Sequence, residues 1–366
     1  MTHPRILVTG ATGKTGQAVV AELRRHGATV RALVRRRDKR SERLEREGVE
    51  TVVGDLSDPG SVRTAVQGVR RAYFLPAFDP AMLEGATHFA AAAKDAGVES
   101  IVGLSQWLAG PAHPAWLTRQ LWAMDELFGA IPGIAYTIVN PPFFADNYLR
   151  LIGFAAHLGI LPSLTGNSRN APPSNEDIAA VAAAALLDPE THGGRRYSPT
   201  GPELLSTRDM AAILTRVLAR KVRAVEMPMW LFLKAARMQG VPADELSGFR
   251  YWVRDHAQGA FSFRAPTDDV RRVTGRAPES FDTIARRYAA LPEARRSFGA
   301  SARAWADFMR TPMMPGYDLD AFDQRLGLSR PADSRFAMED AGWRALRSAQ
   351  VDEGSEGEVL RVGKAA

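Results

Sequence analysis

The sequence predicts an α/β protein: a doubly wound parallel sheet, a smaller and mostly helical region after it, and a C-terminal helical extension. Three observations carry this expectation. Six short apolar segments alternate with helical stretches over the first 140 residues, and strands joined by crossover helices build a parallel sheet. A glycine-spaced loop, "VTGATGKTG", follows the first of those segments. Beyond residue 140 the alternation gives way to proline, aromatic residues and helical periodicity.

Taken in order, "RILVT" (5–9) is the first strand. Gln17 to Arg25 reads as a helix, with Val19, Val20 and Leu23 on one face and Gly27 as its stop. "TVRALV" (29–34), "ETVVG" (50–54) and "RAYFL" (71–75) are the second to fourth strands. A helix over "AMLEGATHFAAAAKDAG" (81–97) separates them from "ESIVGLS" (99–105) and "IAYTIV" (134–139). "NPPFFADNYL" (140–149) is then a Pro-aromatic turn, and "LPSLTGNSRNAPP" (161–173) a long loop. Helices are expected near 176–187 and 207–219, an amphipathic stretch over 227–240, and a closing helix pair over 268–291. Residues 292–348 carry Arg and aromatic residues without a strand pattern, and the last 18 are polar and Gly-rich.

Composition narrows the function classes. The 366 residues are 45% hydrophobic and 24% charged, the balance of an ordinary globular protein. With no cysteine, disulfides, thiolate metal sites and cysteine nucleophiles are excluded. The seven histidines show no ligand spacing, so no metal is expected. The net charge is +6, but the 41 Arg and 6 Lys are spread along the chain, so no nucleic-acid partner is expected. No apolar run reaches the ~18–20 residues that span a bilayer. The longest, "IAAVAAAALL" (178–187), lies between Asp177 and Asp188 and reads as a buried helix. The opening residues carry no charged-then-apolar leader, so the expectation is a cytoplasmic protein.

The glycine loop admits two chemistries. Gly13-Lys14-Thr15 ends like a triphosphate loop, but G-x-x-x-x-G-K-[ST] then requires glycine at position 8, where Val8 stands. A dinucleotide loop fits the context instead: a strand before it, a helix starting inside it, and a second strand close by. Gly10 would permit the sharp turn, Gly13 the approach of a pyrophosphate, and Gly16 close packing of the helix on the sheet. The helix N-terminus would meet the phosphates with unpaired N–H groups. Nineteen residues after Gly16 stands Arg35, followed by Arg36 and Arg37. An acidic residue here selects NAD through the ribose 2′-hydroxyl, whereas arginine suits the 2′-phosphate of NADP(H). The competing reading is a solvated charge run ahead of the helix "DKRSERLERE".

These residues resemble the NmrA-like family, an atypical branch of the short-chain dehydrogenase/reductase superfamily with a Rossmann-type fold. The resemblance rests on "VTGATGKTG", "VRALVR" (30–35) and "GVETVVGDLSDPGSVRTAVQGV" (48–69). It continues through "IAYTIVNPPFFADNYL" (134–149), "SNEDIAAVAAAALLDP" (174–189) and "RRYSPTGPELLSTRDMA" (195–211), and covers about residues 4–290. It implies that Gly10, Thr12, Gly13, Lys14, Thr15 and Gly16 form the pyrophosphate loop. Arg35 would bind the 2′-phosphate with Arg36 beside it, and Asp55 and Leu56 would contact adenine. Leu75 and Pro76 would line the ribose side, Ser105 and Gln106 would lie under the nicotinamide, and Pro142, Phe143 and Phe144 beside its ring. Pro142 stands where the family usually has Gly, and Asn140 where Arg is common.

Ketone-reducing short-chain dehydrogenases carry a Tyr four residues before a Lys after the fifth strand, and the lysine lowers the phenol pKa. Residues 106–133 contain neither Tyr nor Lys, and Arg119 and Gln120 occupy that neighbourhood. An arginine stays protonated and is no general acid. Two readings follow. In the first, the chain reduces a quinone or enone, a small aromatic or conjugated acceptor, with NADPH in a dry aromatic slot. Trp107, Trp122, Phe143, Phe144, Tyr148, Trp230 and Met238 would build that slot, with His113 a proton donor from the following loop. Trp230 and Met238 read equally well as core, and His113 as a structural histidine. In the second, the chain binds NADP(H) without turnover as a redox sensor, its cleft filled by Trp107 or Trp122. A protein partner, or a second copy of the chain, would then meet the extension that carries Trp305 and Trp343. The expected division is an NADP-binding core over 1–150, a substrate-side region over 151–290 whose helix 176–187 packs back on the core, a helical extension over 291–348 and a disordered tail over 349–366.

Overall fold

The computed structural model describes residues 4–328 and 330–356. Its first half runs β1 (Arg5–Val8), α1 (Lys14–Arg25), β2 (Thr29–Val34), α2 (Lys39–Arg46), β3 (Glu50–Val53), α3 (Pro59–Val66), β4 (Arg71–Phe74), α4 (Met82–Asp95), β5 (Ser100–Leu104), α5 (Trp116–Gly129) and β6 (Ala135–Val139). The second half begins with α6 (Ala145–Leu149), α7 (Ile152–Leu158), β7 (Ile160–Ser163), β8 (Arg169–Asn170), α8 (Asn175–Leu187), α9 (Pro189–His192), β9 (Arg196–Tyr197) and β10 (Leu205–Ser206). It continues with α10 (Thr207–Val217), β11 (Arg223–Glu226), α11 (Met229–Met238), α12 (Ala243–Ala257), α13 (Asp269–Thr274) and α14 (Phe281–Ala289). The extension adds α15 (Phe298–Arg310), α16 (Leu319–Arg325) and α17 (Ala341–Glu356).

Seven parallel strands form the main sheet in the order β3-β2-β1-β4-β5-β6-β9. Central β5 is buried along its whole length, whereas edge strand β3 is only partly covered, the pattern of a parallel sheet with helices on both faces. On one face α1 and α8 pack together, with Val19, Val20 and Leu23 of α1 against Ile178, Val181 and Leu186 of α8. α8 is buried nearly all round, because α1, α13 and the sheet enclose it. On the other face α3, α4 and α5 cover Phe74, whose ring lies 4.7 Å from Phe89 and 5.0 Å from Phe128. The strand order reverses between β1 and β4, which opens a crevice at the carboxyl ends of the strands.

α1 begins at Lys14, three residues before the amphipathic pattern, because Gly13 serves as N-cap inside the loop. The segment read as one loop over 161–173 contains two short strands, β7 paired with β11 and β8 with β10. Both pairings are non-local, so no alternation within the segment announces them. Leu149, Ile152, Leu214 and Phe281 make a second, smaller core of α6, α7, α10 and α14.

Among the described residues the extension contains no strand. α17 is one of the elements that dock it. Trp343 Nε1 donates to the Trp107 carbonyl (3.1 Å), and the buried Arg347 guanidinium lies 3.6 Å from the Trp107 ring centroid. Arg347 also donates to Ser198 Oγ (2.6 Å) and to the Trp107 carbonyl (2.9 Å). Trp305, also on the extension, is 48% exposed. The polar segment from 349 continues α17 as far as Glu356, and the remainder of that expected tail lies outside the described residues.

Candidate functional site

The crevice starts at the glycine loop. Gly10 has φ +61°, a left-handed conformation that a side chain disfavours, and a Cβ there would lie 2.5 Å from Leu75 Cδ2. Thr9 ties the ends of β1 and β4 together: Oγ1 donates to the Leu75 carbonyl (2.8 Å) and accepts from the Leu75 N–H (2.7 Å). Gln17 braces the loop by donating to the Thr12 carbonyl (2.7 Å). Gly16 packs on the loop, not on the sheet as expected, since a Cβ there would fall 2.2 Å from the Gly10 carbonyl oxygen. α1 starts without a side-chain cap and without an acidic residue in its first turn. Its first-turn amides and partial positive charge are therefore left for an anion. A pyrophosphate fits this cradle.

Arg35, Arg36 and Arg37 lie exposed at the end of β2, past which Asp38 caps α2. Arg35 reaches across the crevice to Asp79 Oδ2 (3.3 Å). The Asp55 carboxylate accepts from the Ser57 N–H (2.9 Å) and hydroxyl (2.8 Å), which hold its pKa below the usual value. Leu56 packs over Gly85, and Pro76 is buried beyond Leu75. Ser105 is committed elsewhere than to an open site: its hydroxyl donates to Asp125 (2.6 Å), which also accepts from Tyr136 (2.7 Å). Burial pushes the Asp125 carboxyl up, against the Arg196 guanidinium 3.7 Å away. Gly103 makes this possible, since a Cβ there would lie 2.3 Å from the Tyr136 oxygen. Gln106 accepts from Thr118 (2.8 Å).

From this end the crevice widens into a cavity of about 550 Å³. Lys14, Thr15, Leu75, Ser105, Gln106, Pro142, Phe143 and Phe144, all expected at the cofactor, are among its lining residues. Leu117, Leu121, Phe154, Met227, Phe232, Phe249, Trp252 and Phe261 make the rest mostly apolar, and Phe308, Met309 and Pro312 of the extension close part of the wall. Lys14 Nζ and the Tyr288 hydroxyl both donate to Asp146, while Thr15 donates to Asn175 (2.7 Å), so the glycine loop is tied to α6, α8 and α14. The Tyr148 ring meets Phe143 edge-on at 5.3 Å.

Of the residues expected to build the slot, Phe143, Phe144 and Tyr148 line the cavity. Trp107 does not: it is 1% exposed and its Nε1 donates to the Ala260 carbonyl (2.8 Å), beneath the extension. Trp122 packs on the α3–α5 side of the sheet. Trp230 is 54% exposed on the outer face of α11, and Met238 is half-buried away from the cavity wall. His113 is buried as a structural pin, not turned to the site. The Ala115 N–H donates to Nδ1 (3.0 Å), so Nε2–H donates to Asp255 (2.8 Å). Asp255 in turn accepts from the Ala337 N–H (2.9 Å) of the extension.

Residues that sequence reasoning missed sit on α12. Phe249, Trp252, Val253 and His256 follow helical spacing and present one face to the cavity. Leu231, Phe232 and Ala235 do the same on α11, with Gln239 just past its end, so the stripe in each helix was the available signal.

The sequence pattern of the NmrA-like family matches residues 2–257. The chain belongs to the NmrA-like family. A NAD(P)H azoreductase of Xenophilus azovorans is 31% identical over 300 residues, 81% of this chain and 100% of that protein. A (4-alkanoyl-5-oxo-2,5-dihydrofuran-3-yl)methyl phosphate reductase of Streptomyces griseus is 34% identical over 277 residues, 75% of this chain and 95% of its own. The fold of an NADPH-dependent quinone oxidoreductase from Escherichia coli, crystallised with NADPH, superposes with TM-score 0.67 at 22% identity. It covers 76% of this chain and 98% of that one. The family match ends at the last residue of α12, so α13–α17 lie beyond it. Among the described residues no helix is long and apolar enough to cross a membrane, and no group of three His, Asp or Glu is placed to hold a metal.

Proposed function

We propose that this NmrA-like protein is an NADPH-dependent reductase of bulky, flat, conjugated acceptors. The carrying observation is the cavity of about 550 Å³, lined by apolar and aromatic side chains and continuous with the glycine loop. That volume lies within the range of small-molecule sites. The reductase names of the two sequence relatives support the same reading.

The chain's residues divide the work. The Gly10–Gly16 loop and the α1 N-terminus hold the pyrophosphate, and Arg35 draws the 2′-phosphate to the end of β2. Ser105, Gln106 and the Pro142–Phe144 turn form the nicotinamide side of the cavity. Bound NADPH supplies hydride to the acceptor. Phe143, Phe249 and Phe261 stack and position a flat acceptor and exclude water around it. Phe308, Met309 and Pro312 extend the apolar wall from beyond the family match, and in this reading they set how large an acceptor enters.

A cleft filled by Trp107 or Trp122 would favour the sensor reading, and neither residue lines the cavity. The test is NADPH consumption, followed by absorbance, with quinones, azo compounds and enones, and with Arg35→Asp as control. Turnover that fails in the control supports the reading. NADPH binding without oxidation by any acceptor refutes it.

A further inference from the structure

Tyr148 and His256 are the polar side chains of the cavity wall next to Phe143, and both are buried. They are bonded to each other, Tyr148 Oη to His256 Nε2 at 2.8 Å. The other ring nitrogen, Nδ1, lies 2.6 Å from Ser168 Oγ, and Ser168 is half-exposed in the loop before β8. A chain of exchangeable protons thus runs from half-exposed Ser168 to Tyr148, whose side chain lines the cavity on the side where the Pro142–Phe144 turn would meet the nicotinamide. Nothing in the cofactor cradle requires it. Phe143 and Phe261 lie beside the imidazole, their ring centroids 6.4 and 5.3 Å from its own, and Asp255, the neighbouring carboxylate on α12, is turned away to His113.

The Ser168 hydroxyl has two acceptors in reach, the Thr165 carbonyl (2.7 Å) and His256 Nδ1. When it points to Thr165, Nδ1–H donates to Ser168, and Nε2 accepts the Tyr148 proton. When it points to Nδ1, Nε2–H donates to Tyr148 Oη, and the phenolic proton is freed from His256. Asn170 Nδ2 donates to the same phenol oxygen (3.3 Å) and to the Phe143 carbonyl (2.5 Å), holding the ring beside the turn. Switching between these states requires a neutral imidazole. Burial lowers the His256 pKa to about 4, which keeps the ring neutral near pH 7. Burial also pushes the Tyr148 phenol up, so it holds its proton until a strong base forms next to it.

We propose that Ser168, His256 and Tyr148 form a proton wire that protonates the reduced acceptor through Tyr148 Oη, replacing the absent Tyr-Lys pair. The inference rests on the reductase reading and refines its substrate class. Hydride from NADPH, which becomes NADP⁺, leaves the acceptor as an anion. The Tyr148 O–H bond breaks as the new N–H, C–H or O–H bond on the acceptor forms. The His256 Nε2 proton passes to Tyr148, the Ser168 proton to Nδ1, and water restores Ser168. One solvent proton is consumed for each hydride. A quinone leaves a stabilised phenolate that needs little help. Addition to an azo nitrogen or an enone leaves a far stronger base, so the wire selects for those acceptors.

The test compares Tyr148→Phe, which keeps the ring on Phe143, and Ser168→Ala with the wild type, on one azo compound, one enone and one quinone. NADPH affinity by fluorescence is expected to stay unchanged, and the melting temperature of Tyr148→Phe to fall only modestly, because buried His256 and Asn170 lose a partner. With the azo compound and the enone, Tyr148→Phe should lose about 100-fold or more in kcat, the usual worth of a general acid. The loss should stay below about fivefold with the quinone, and the wild-type solvent isotope effect should vanish in the variant. Nitrogen-15 NMR of the cofactor-free protein should show a neutral His256 whose tautomer balance moves in Ser168→Ala. Equal losses with all three acceptors, or none, would overturn the wire and leave the reductase reading standing. A wild type inert toward every acceptor would overturn both. A Tyr148→Phe protein that melts early passes the kinetic test to Ser168→Ala, where an unchanged isotope effect and an unmoved His256 signal overturn the wire.

Discussion

Gly16→Ala is the substitution whose effect the geometry states most directly. The added Cβ would sit 2.2 Å from the Gly10 carbonyl oxygen, 2.7 Å from its carbon and 2.9 Å from Ala11 Cα. All three are backbone atoms, so no side chain can turn aside. Restoring an ordinary contact of about 3.2 Å requires α1 and the loop to part by about 1 Å. That displacement falls on the amides that would hold the pyrophosphate, and errors of about 1 Å at such a site cost on the order of 100-fold. Overpacking adds about 1–3 kcal/mol of destabilisation. NADPH titration by fluorescence should show the affinity loss, and thermal unfolding without cofactor the stability loss. Affinity within threefold of the wild type, in a variant that melts normally, would refute the claim that this glycine sets the cradle.

Other perturbations test separate parts of the argument. Arg35→Asp should weaken NADPH about 10- to 100-fold, the worth of a charge-assisted contact, and leave NADH within a fewfold; equal losses in two parallel titrations would remove Arg35 from the 2′-phosphate site. Arg347→Ala should cost about 2–3 kcal/mol in urea unfolding, because Ser198 and the Trp107 carbonyl lose a charged donor. Red-shifted tryptophan emission should accompany it as α17 lifts from Trp107, and an unshifted spectrum would show that Arg347 does not hold α17 down. His256, with its folded pKa lowered to about 4 from 6.5, stabilises fully above pH 6.5 and loses that contribution as pH falls toward 4. The loss amounts to about 3 kcal/mol, and His256→Gln should flatten this acid limb of stability; an unchanged limb would mean that the ring charges in the folded state at no cost.

Much of this was legible in the residues. The six main strands were readable because a parallel sheet buries both faces, so its strands appear as short continuous apolar runs such as "RAYFL" and "ESIVG". The glycine loop was readable because Gly10 needs a left-handed backbone and Gly16 a missing Cβ. The cavity was harder to see. Position after β5 suggested that Trp107 and His113 face the site, but the extension covers that side and Asp255 claims the histidine. The stripe on α12 was visible as a helical face, but nothing local tells a face that lines a cavity from one that enters a core.

The sequence by itself determined the parallel sheet, the glycine loop, the basic residue at the end of β2 and the absence of a Tyr-Lys pair. Each follows from periodicity, glycine geometry or charge within a few residues. Only the tertiary structure decided which aromatic residues line the cavity, that the extension supplies part of the wall, and that Ser168, His256 and Tyr148 meet. Those three residues lie 20 and 88 positions apart along the chain. Their contact depends on how α6, the loop before β8 and α12 pack, and side-chain packing between distant elements leaves no local pattern.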